Sequence, residues 1–204
     1  MRRRRPQIPP EEFDVERALS FVNTRSGRAT PNPTERLVSF EALVNWSHEA
    51  GLLKAAEAEQ LSGRARRRQD EAARLVARAC ELRELLHDAF SATSKGNAPR
   101  SATLAALSEQ LGGWYRHGRL APADDSLHWI YAGGDDLDRV LWEVTRVASR
   151  LLTSPRLARV RPCAAADCGW WFVDDTKNAS RRWCDMKICG NREKSRRFRL
   201  KGRS

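Results

Sequence analysis

Two cysteine pairs of equal spacing near the end of the 204-residue chain constrain its fold more than any other feature. Cys163 and Cys168 form one C-x4-C pair, and Cys184 and Cys189 form a second after 15 intervening residues. Two thiol pairs on separate turns can supply the four ligands of a tetrahedral zinc ion. Because four cysteines leave no coordination position open for water, we expect the zinc to be structural rather than catalytic.

The alternatives to a metal site are two disulfides or four unrelated thiols. No apolar region follows the basic N-terminal residues, so we expect no export signal and a location in the reducing cytoplasm, where disulfides are disfavoured. No stretch approaches the roughly 20 apolar residues that span a bilayer, so we expect no membrane partner. The fifth cysteine, Cys80, lies on the apolar side of a predicted helix and is expected to be a small core residue.

The residues between and after the two pairs suit a zinc-centred fold. The run "GWWFVDD" predicts a strand, "TKNAS" a turn and "RRWC" a returning strand. Cys189 would then lie in the first turn of a helix that begins near Ile188, where the helix dipole favours a thiolate. A knuckle, a hairpin and a ligand-bearing helix together make a treble-clef arrangement, with zinc as the nucleus of its folding.

Positive charge is concentrated at the same end of the chain. The formal net charge is +11, and residues 176–204 hold 11 Lys/Arg against 2 acids. A helix over "GNREKSRRFRLK" would carry two neighbouring cationic rows, with Phe198 expected to pack back onto the hairpin tryptophans. Such a surface favours phosphate, and double-stranded DNA is the leading partner. The candidate nucleic-acid contacts are Arg181, Arg182, Arg192, Lys194, Arg196, Arg197, Arg199 and Lys201.

Upstream of residue 156 the apolar spacing predicts mostly helix. Thr34 or Ser39 would cap a helix that ends at Gly51, a long helical stretch over 54–93 would break at "LSGRA", and "RLAPADDSLHWIYAG" predicts a β-hairpin. Two apolar stripes are expected to be buried: Leu75, Ala79, Leu82, Leu86 and Phe90, and then Leu137, Leu141, Val144, Ala148 and Leu151. We therefore predict an α+β chain. It would have a basic flexible arm (1–12), a mostly helical domain with a small β element (13–153) and a treble-clef-like zinc finger with a basic C-terminal helix (156–204).

At these residues the chain resembles a known family. The segment "CAAADCGWWFVDDTKNASRRWCDMKICGNREKSRRFR" is similar to the CGNR zinc finger, named for the run that here is Cys189, Gly190, Asn191 and Arg192. The upstream "LSFVNTR" and "LVSFEALVNWSHEAGLL" resemble the opening of the ABATE domain that commonly precedes that finger. The resemblance implies bacterial, stress-induced transcription regulators whose finger binds zinc and contacts DNA.

Three functional hypotheses follow from the sequence. The first is a DNA-binding regulator whose N-terminal domain senses a small-molecule effector, acting alone or as a homodimer. The second is an RNA- or ribosome-binding zinc protein, which solvent exposure of Trp170, Trp171 and Trp183 would favour. The third is an enzyme with the finger as a recruiting module, but the four histidines are scattered and no catalytic set stands out. We therefore predict that the protein is not an enzyme.

Overall fold

The computed structural model of the chain describes residues 10–123, 126–133 and 136–201. Within them the chain forms the helices α1 (Pro10–Val22), α2 (Phe40–Glu49), α3 (Ala55–Ala65), α4 (Gln69–Ser94), α5 (Ser101–His117), α6 (Arg139–Leu152) and α7 (Asn191–Lys201). The strands pair antiparallel as β1 (Arg25–Ser26) with β2 (Thr34–Glu35), β3 (Gly118–Ala123) with β4 (Ser126–Tyr131), and β5 (Val160–Pro162) with β6 (Trp171–Val173). The predicted α+β class is confirmed.

The structure can be compared with the predicted limits of the N-terminal arm and the C-terminal finger only in part. Helix α1 begins at Pro10, inside the segment 1–12 that the sequence assigns to a basic arm. Residues 1–9 of that arm and 202–204 of the finger lie outside the described residues. The division into arm, helical domain and finger stays a prediction. Among the helices that the structure describes, none combines the length and apolarity needed to cross a membrane.

The helical core is built from the two apolar stripes that the sequence predicts. All five residues of the α4 stripe and all five of the stripe over 137–151 are buried in one cluster with the inner face of α1. At its edge the buried carboxylate of Asp14 on α1 accepts hydrogen bonds from Arg146 and Arg150 of α6. This arrangement fixes α1 against α6, because a buried carboxylate needs its cationic partners.

Helix α2 begins and ends at residues whose chemistry suits those positions. The Ser39 hydroxyl accepts a hydrogen bond from the Ala42 N–H at 3.1 Å, so Ser39 is the N-cap. Thr34, the other candidate, lies instead in β2. After the helix, Gly51 adopts φ +68°, a left-handed conformation that glycine reaches without steric cost.

The predicted helix break at "LSGRA" is wrong by a few residues. Residues 61–65 form the last turn and a half of α3, and the chain leaves helical structure only over 66–68. A glycine inside a helix costs about 1 kcal/mol relative to alanine. Burial of Leu61 against the core offsets that cost, so the helix continues past Gly63. The predicted hairpin, in contrast, is present as β3 and β4, in the register Gly118↔Tyr131 to Ala123↔Ser126.

The strand pairing in the C-terminal region differs from the prediction. The partner of β6 is β5, which precedes Cys163, and the segment "RRWC" forms no strand. The cause is Asp174, a buried carboxylate that accepts hydrogen bonds from the N–H and hydroxyl of Thr176 and from the N–H of Arg181. Because Asp174 takes the Arg181 N–H, residues 174–184 close into a loop (the zinc loop) instead of returning as a strand.

Strands β5 and β6 dock directly on the helical core. Val160, Trp171 and Val173 belong to the same buried cluster as the helices. The Asn23 side-chain amide pairs with the backbone of Trp171 in β6. It donates to the Trp171 carbonyl at 2.9 Å and accepts from the Trp171 N–H at 2.7 Å. The Trp171 indole N–H donates to His87 Nδ1 of α4 at 3.0 Å. The C-terminal region is therefore fixed to the helices by its second strand.

Candidate metal centre and nucleic-acid interface

The four predicted ligands converge at one point. The sulfur atoms of Cys163, Cys168, Cys184 and Cys189 all lie within 4.8 Å of one another. Two of the separations, Cys168 to Cys184 and Cys184 to Cys189, are 3.6 Å. A Zn–S bond of about 2.3 Å places tetrahedral ligands about 3.8 Å apart, so the sulfur geometry fits zinc closely. The cysteines are free thiols, and separations of 3.6 Å are far longer than the roughly 2.05 Å of a disulfide bond, so the alternative of two bridges does not hold.

The first pair is positioned by the turn between β5 and β6. Cys163 N donates to Trp170 O at 2.8 Å, and Cys168 N donates to Ala165 O at 3.1 Å, so the turn closes on itself with both thiols inside. Gly169 follows with φ +70°, and a Cβ there would lie 3.2 Å from the backbone nitrogen of Arg28. The position therefore requires glycine for both its conformation and its close approach to the helical domain.

The second pair is positioned by a wide helical turn over Met186–Gly190 that leads directly into α7. The Asp185 side chain caps this turn by accepting from Ile188 N at 2.8 Å, and Cys189 N donates to Asp185 O at 3.0 Å. Cys189 is thus fixed two residues before α7 begins. A metal held by Cys189 therefore also fixes the direction in which α7 leaves the site.

The surroundings of the thiols shift their pKa values in different directions. Burial alone would raise the pKa of Cys163, but N–H groups of Ala165 and Cys184 donate to its sulfur and lower that pKa overall. Burial raises the pKa of Cys168 to about 12. Metal binding must therefore displace a proton from Cys168. The Arg192 guanidinium lies 3.4 Å from Cys189 Sγ and 2.8 Å from Asp167, where it offsets negative charge on the thiolates.

Arg181 holds the zinc loop from its exposed side. Its guanidinium donates to three backbone carbonyls, those of Trp183 at 2.9 Å, Val173 at 3.5 Å and Cys184. It also lies over the Phe172 ring, 4.7 Å from the centroid. The phosphate contact predicted for Arg181 stays a prediction, and the structure shows its guanidinium bonded to the backbone beside the zinc ligand Cys184.

Helix α7 projects from the metal centre with almost no packing of its own. From Asn191 to Leu200, Glu193 is the one side chain that is buried, and the others are exposed. Glu193 accepts from Arg196 at 2.9 Å. In the described part of the chain, Lys194, Arg197 and Arg199 have no carboxylate within ion-pair distance. Among the described residues, nothing neutralises these three charges, which can therefore meet an anion.

The remaining predicted contacts are placed as follows. Arg182 is exposed in the zinc loop, with its guanidinium 5.3 Å from the Trp183 ring centroid. Lys201 ends α7, and its side chain lies outside the described part of the structure. Phe198 does not pack on the tryptophans as predicted, since it is 80% exposed. The prediction failed because α7 leaves the domain after the wide turn and does not fold back over it.

The three tryptophans whose exposure would favour RNA binding differ in burial. Trp171 is 4% exposed and belongs to the helical core, whereas Trp170 is 39% exposed and Trp183 is half-buried beside the cysteines. A stacking platform for bases needs several exposed rings along one groove. The burial of Trp171 removes the central member of such a platform.

Sequence reasoning missed the residues that attach the site to the helices. Gly27 N donates to Cys168 O at 2.8 Å, which joins the β1–β2 loop to a metal ligand. That loop is held in turn by Arg83, which is 1% exposed and donates to both Glu35 carboxylate oxygens at 2.6 Å. The signal available in the sequence was an arginine in the middle of a predicted apolar helix face, because a buried arginine needs a carboxylate partner.

Comparison with known proteins agrees with the geometry. Residues 159–201 match the model of the CGNR zinc finger. Residues 16–155 match the model of the family ABATE, whose description is "Putative stress-induced transcription regulator". A search of curated proteins gave no match. The finger match and the four clustered thiols together identify zinc as the cofactor of this site.

Proposed function

The chain belongs to the ABATE family and carries a CGNR zinc finger, and from that membership we propose that it is a transcription regulator that binds double-stranded DNA through α7. The observation that carries this proposal is the projecting helix itself, which is exposed from Asn191 to Leu200 apart from Glu193 and carries three cations without a carboxylate partner among the described residues. Zinc stabilises the turn from which the helix emerges and makes no contact with the nucleic acid. A regulatory role agrees with the family description, so we assign no catalytic activity.

The size of α7 suits a DNA groove. Its 11 residues extend about 16 Å, the length of about five base-pair steps. An α-helix about 10–12 Å in diameter fits the major groove, which is about 12 Å wide. Cations on both sides of such a helix reach the phosphates of both strands. Duplex DNA is therefore the partner that this surface fits best, and a cytoplasmic location follows from the same proposal.

RNA binding is the second candidate, supported by the half-exposed Trp170 and by the same cations. Fluorescence anisotropy distinguishes DNA binding from RNA binding, with labelled duplex DNA and single-stranded RNA of matched length as the two probes. Each probe is titrated at several salt concentrations with zinc-loaded and with chelator-treated protein. We expect tighter binding to the duplex, a steep salt dependence and loss of binding on zinc removal. Tighter binding to RNA, or duplex binding that survives zinc removal, would contradict the proposal.

A sensory role for the helical domain has a candidate location. A cleft of about 400 Å³ lies between α1 and the zinc loop, with Leu19, Arg36, Trp170 and Arg181 among its lining residues. A small molecule bound there would contact Arg181 and so the backbone beside Cys184. We propose this cleft as the effector site, to be tested by a thermal-shift ligand screen of wild type and Trp170→Ala. A ligand that stabilises both proteins equally would place the site elsewhere.

Homodimeric binding to paired half-sites also stays a proposal, and analytical ultracentrifugation with and without duplex tests it. A 2:1 complex of protein with DNA is the result that it predicts. A 1:1 complex at saturating protein would contradict it.

A further inference from the structure

Phe198 is the most exposed large apolar side chain of the described residues, at 80%. Burying an aromatic ring contributes more than almost any other side chain to stability, so a ring left in water on a helix offers the fold nothing. The residues one helical turn from Phe198 are Lys194, Ser195 and Lys201, all cationic or polar, and the apolar Leu200 lies on a different side of the helix. An aliphatic or aromatic partner from the same chain is therefore absent on this part of the described helix.

The position of Phe198 on α7 is specific. With about 3.6 residues per turn, Phe198 lies between the row Arg192, Arg196 and Arg199 and the row Lys194, Arg197 and Lys201. Glu193, the buried residue of α7, lies well away from Phe198 around the helix. The ring thus stands at the centre of the helix surface that faces away from the protein, with positive charge on both sides.

This pattern matches a duplex groove, in which two phosphate strands flank the apolar and polar edges of the bases. If the two cationic rows meet the two strands, the residue between them points toward the floor of the groove. In the major groove the apolar feature of that floor is the C5-methyl group of thymine, which phenylalanine can contact. Protein partners are a poorer fit, because an apolar protein surface would also have to receive a cation row on each side of the ring.

We propose that Phe198 contacts thymine methyl groups in the major groove and gives α7 a preference for A·T base pairs. The inference rests on the proposed function, since it requires α7 to bind duplex DNA. It adds a means of base recognition to a surface whose cations would otherwise contact only phosphate. Phe198 contributes no packing to the finger, so its replacement leaves the zinc site intact.

The test uses three duplexes of equal length: alternating A·T, the same sequence with deoxyuridine in place of thymine, and alternating G·C. Deoxyuridine removes only the methyl group. We expect the change from thymine to deoxyuridine to weaken binding of the zinc-loaded wild type about fourfold, the factor that one buried methyl group contributes. Phe198→Ala should bind the thymine and deoxyuridine duplexes equally, and Phe198→Leu should keep part of the difference.

The outcomes separate this inference from the proposed function. The role of Phe198 would be overturned, with duplex binding intact, if wild type bound the thymine and deoxyuridine duplexes equally. It would also be overturned if Phe198→Ala kept the full difference in affinity between these two duplexes. A self-association lost in Phe198→Ala, with the methyl preference unchanged, would assign the ring to a protein interface and also overturn the inference. Absence of binding to all three duplexes would overturn both proposals. Zinc content, measured for each variant, confirms that the finger is folded.

Discussion

At the scale of single residues, Arg181 shows how one side chain serves the metal without binding it. The sequence offers an arginine beside a predicted strand, which by charge alone indicates a phosphate contact. The structure adds donation to the carbonyls of Val173, Trp183 and Cys184. Outer-shell partners that orient a metal ligand commonly affect metal affinity by one to two orders of magnitude, and Arg181 orients Cys184 through its backbone.

Replacing Arg181 tests this role. We expect Arg181→Ala to weaken zinc binding roughly 10- to 100-fold, because the backbone on either side of Cys184 loses its hydrogen bonds. Competition with a chromophoric chelator measures the affinity. The matched control is Arg182→Ala, which removes an exposed neighbouring guanidinium of the same charge. Equal zinc affinity in the two variants would contradict a special role for Arg181.

His87 is the titratable group at the contact between finger and helices. Its Nδ1 accepts the Trp171 indole N–H at 3.0 Å, which requires the neutral ring. Burial, with a further contribution from the Arg28 charge, lowers the pKa of His87 below its usual value. Glu84 and Asp88 act in the opposite direction but do not reverse the shift. Since the unfolded chain takes up the proton first, stability is complete above about pH 6.5 and falls as the pH drops through the shifted pKa.

The variant His87→Gln isolates this effect, because glutamine can accept the indole N–H without titrating. We expect wild type to lose more stability than His87→Gln when urea unfolding is compared between pH 7.5 and pH 5.5. Any acid release of zinc is common to both proteins and cancels in the comparison. His128→Gln, at an exposed position on β4, should behave as wild type. Identical acid sensitivity of wild type and His87→Gln would show that His87 does not contribute.

At the scale of elements, the loop between β1 and β2 joins helix α4 to the metal centre. Arg83 on α4 holds Glu35 of β2, and Glu84 on α4 pairs with Arg28 within the loop. The same loop donates from Gly27 N to Cys168 O. The network connects the buried face of a helix to a zinc ligand through one short loop, so its loss should affect both stability and metal binding.

Replacing Arg83 with alanine should destabilise the protein by about 2–3 kcal/mol. Breaking a fully buried ion pair costs about 3–5 kcal/mol. We expect a smaller loss here because the Glu35 side chain is 36% exposed, so solvent partly screens the pair. Urea unfolding of the zinc-loaded protein measures the change. The control Arg100→Ala removes an exposed arginine that pairs with Asp88, and should change stability by less than about 1 kcal/mol. Similar effects of the two variants would contradict the account.

Elements with strong local signals could be predicted, and those set by tertiary contacts could not. Periodicity and turn chemistry are local properties of the sequence. They predict the apolar stripes of α4 and α6, the Ser39 cap and the β3–β4 hairpin. The pairing of β6 with β5 instead of "RRWC" depends on where the Asp174 carboxylate lies, and the exposure of Phe198 depends on the direction of α7. Neither is encoded in a local pattern. The four zinc ligands could be predicted because thiol spacing is itself the signal.

At the scale of the whole molecule, the finger is attached to the helical core and α7 is not. Trp171 and Val173 are buried with the helices, while α7 extends from the zinc site with its cations exposed. The metal therefore links a fixed hairpin to a projecting helix. Removing zinc should release α7 and the zinc loop and weaken the contact of β6 with the core, because Cys168 and Gly27 share a hydrogen bond.

The measurement that tests the central claim most directly is the salt dependence of duplex binding in two variants of equal charge. One replaces Lys194, Arg197 and Arg199 of α7 with alanine, and the other replaces Arg66, Arg67 and Arg74, which are exposed on the helical domain. At about 0.9 per phosphate contact, the α7 variant should flatten the slope of log affinity against log salt by between about two and three. The helical-domain variant should leave the slope near that of wild type. A slope unchanged in the α7 variant, or reduced equally in both, would show that α7 is not the DNA-binding helix.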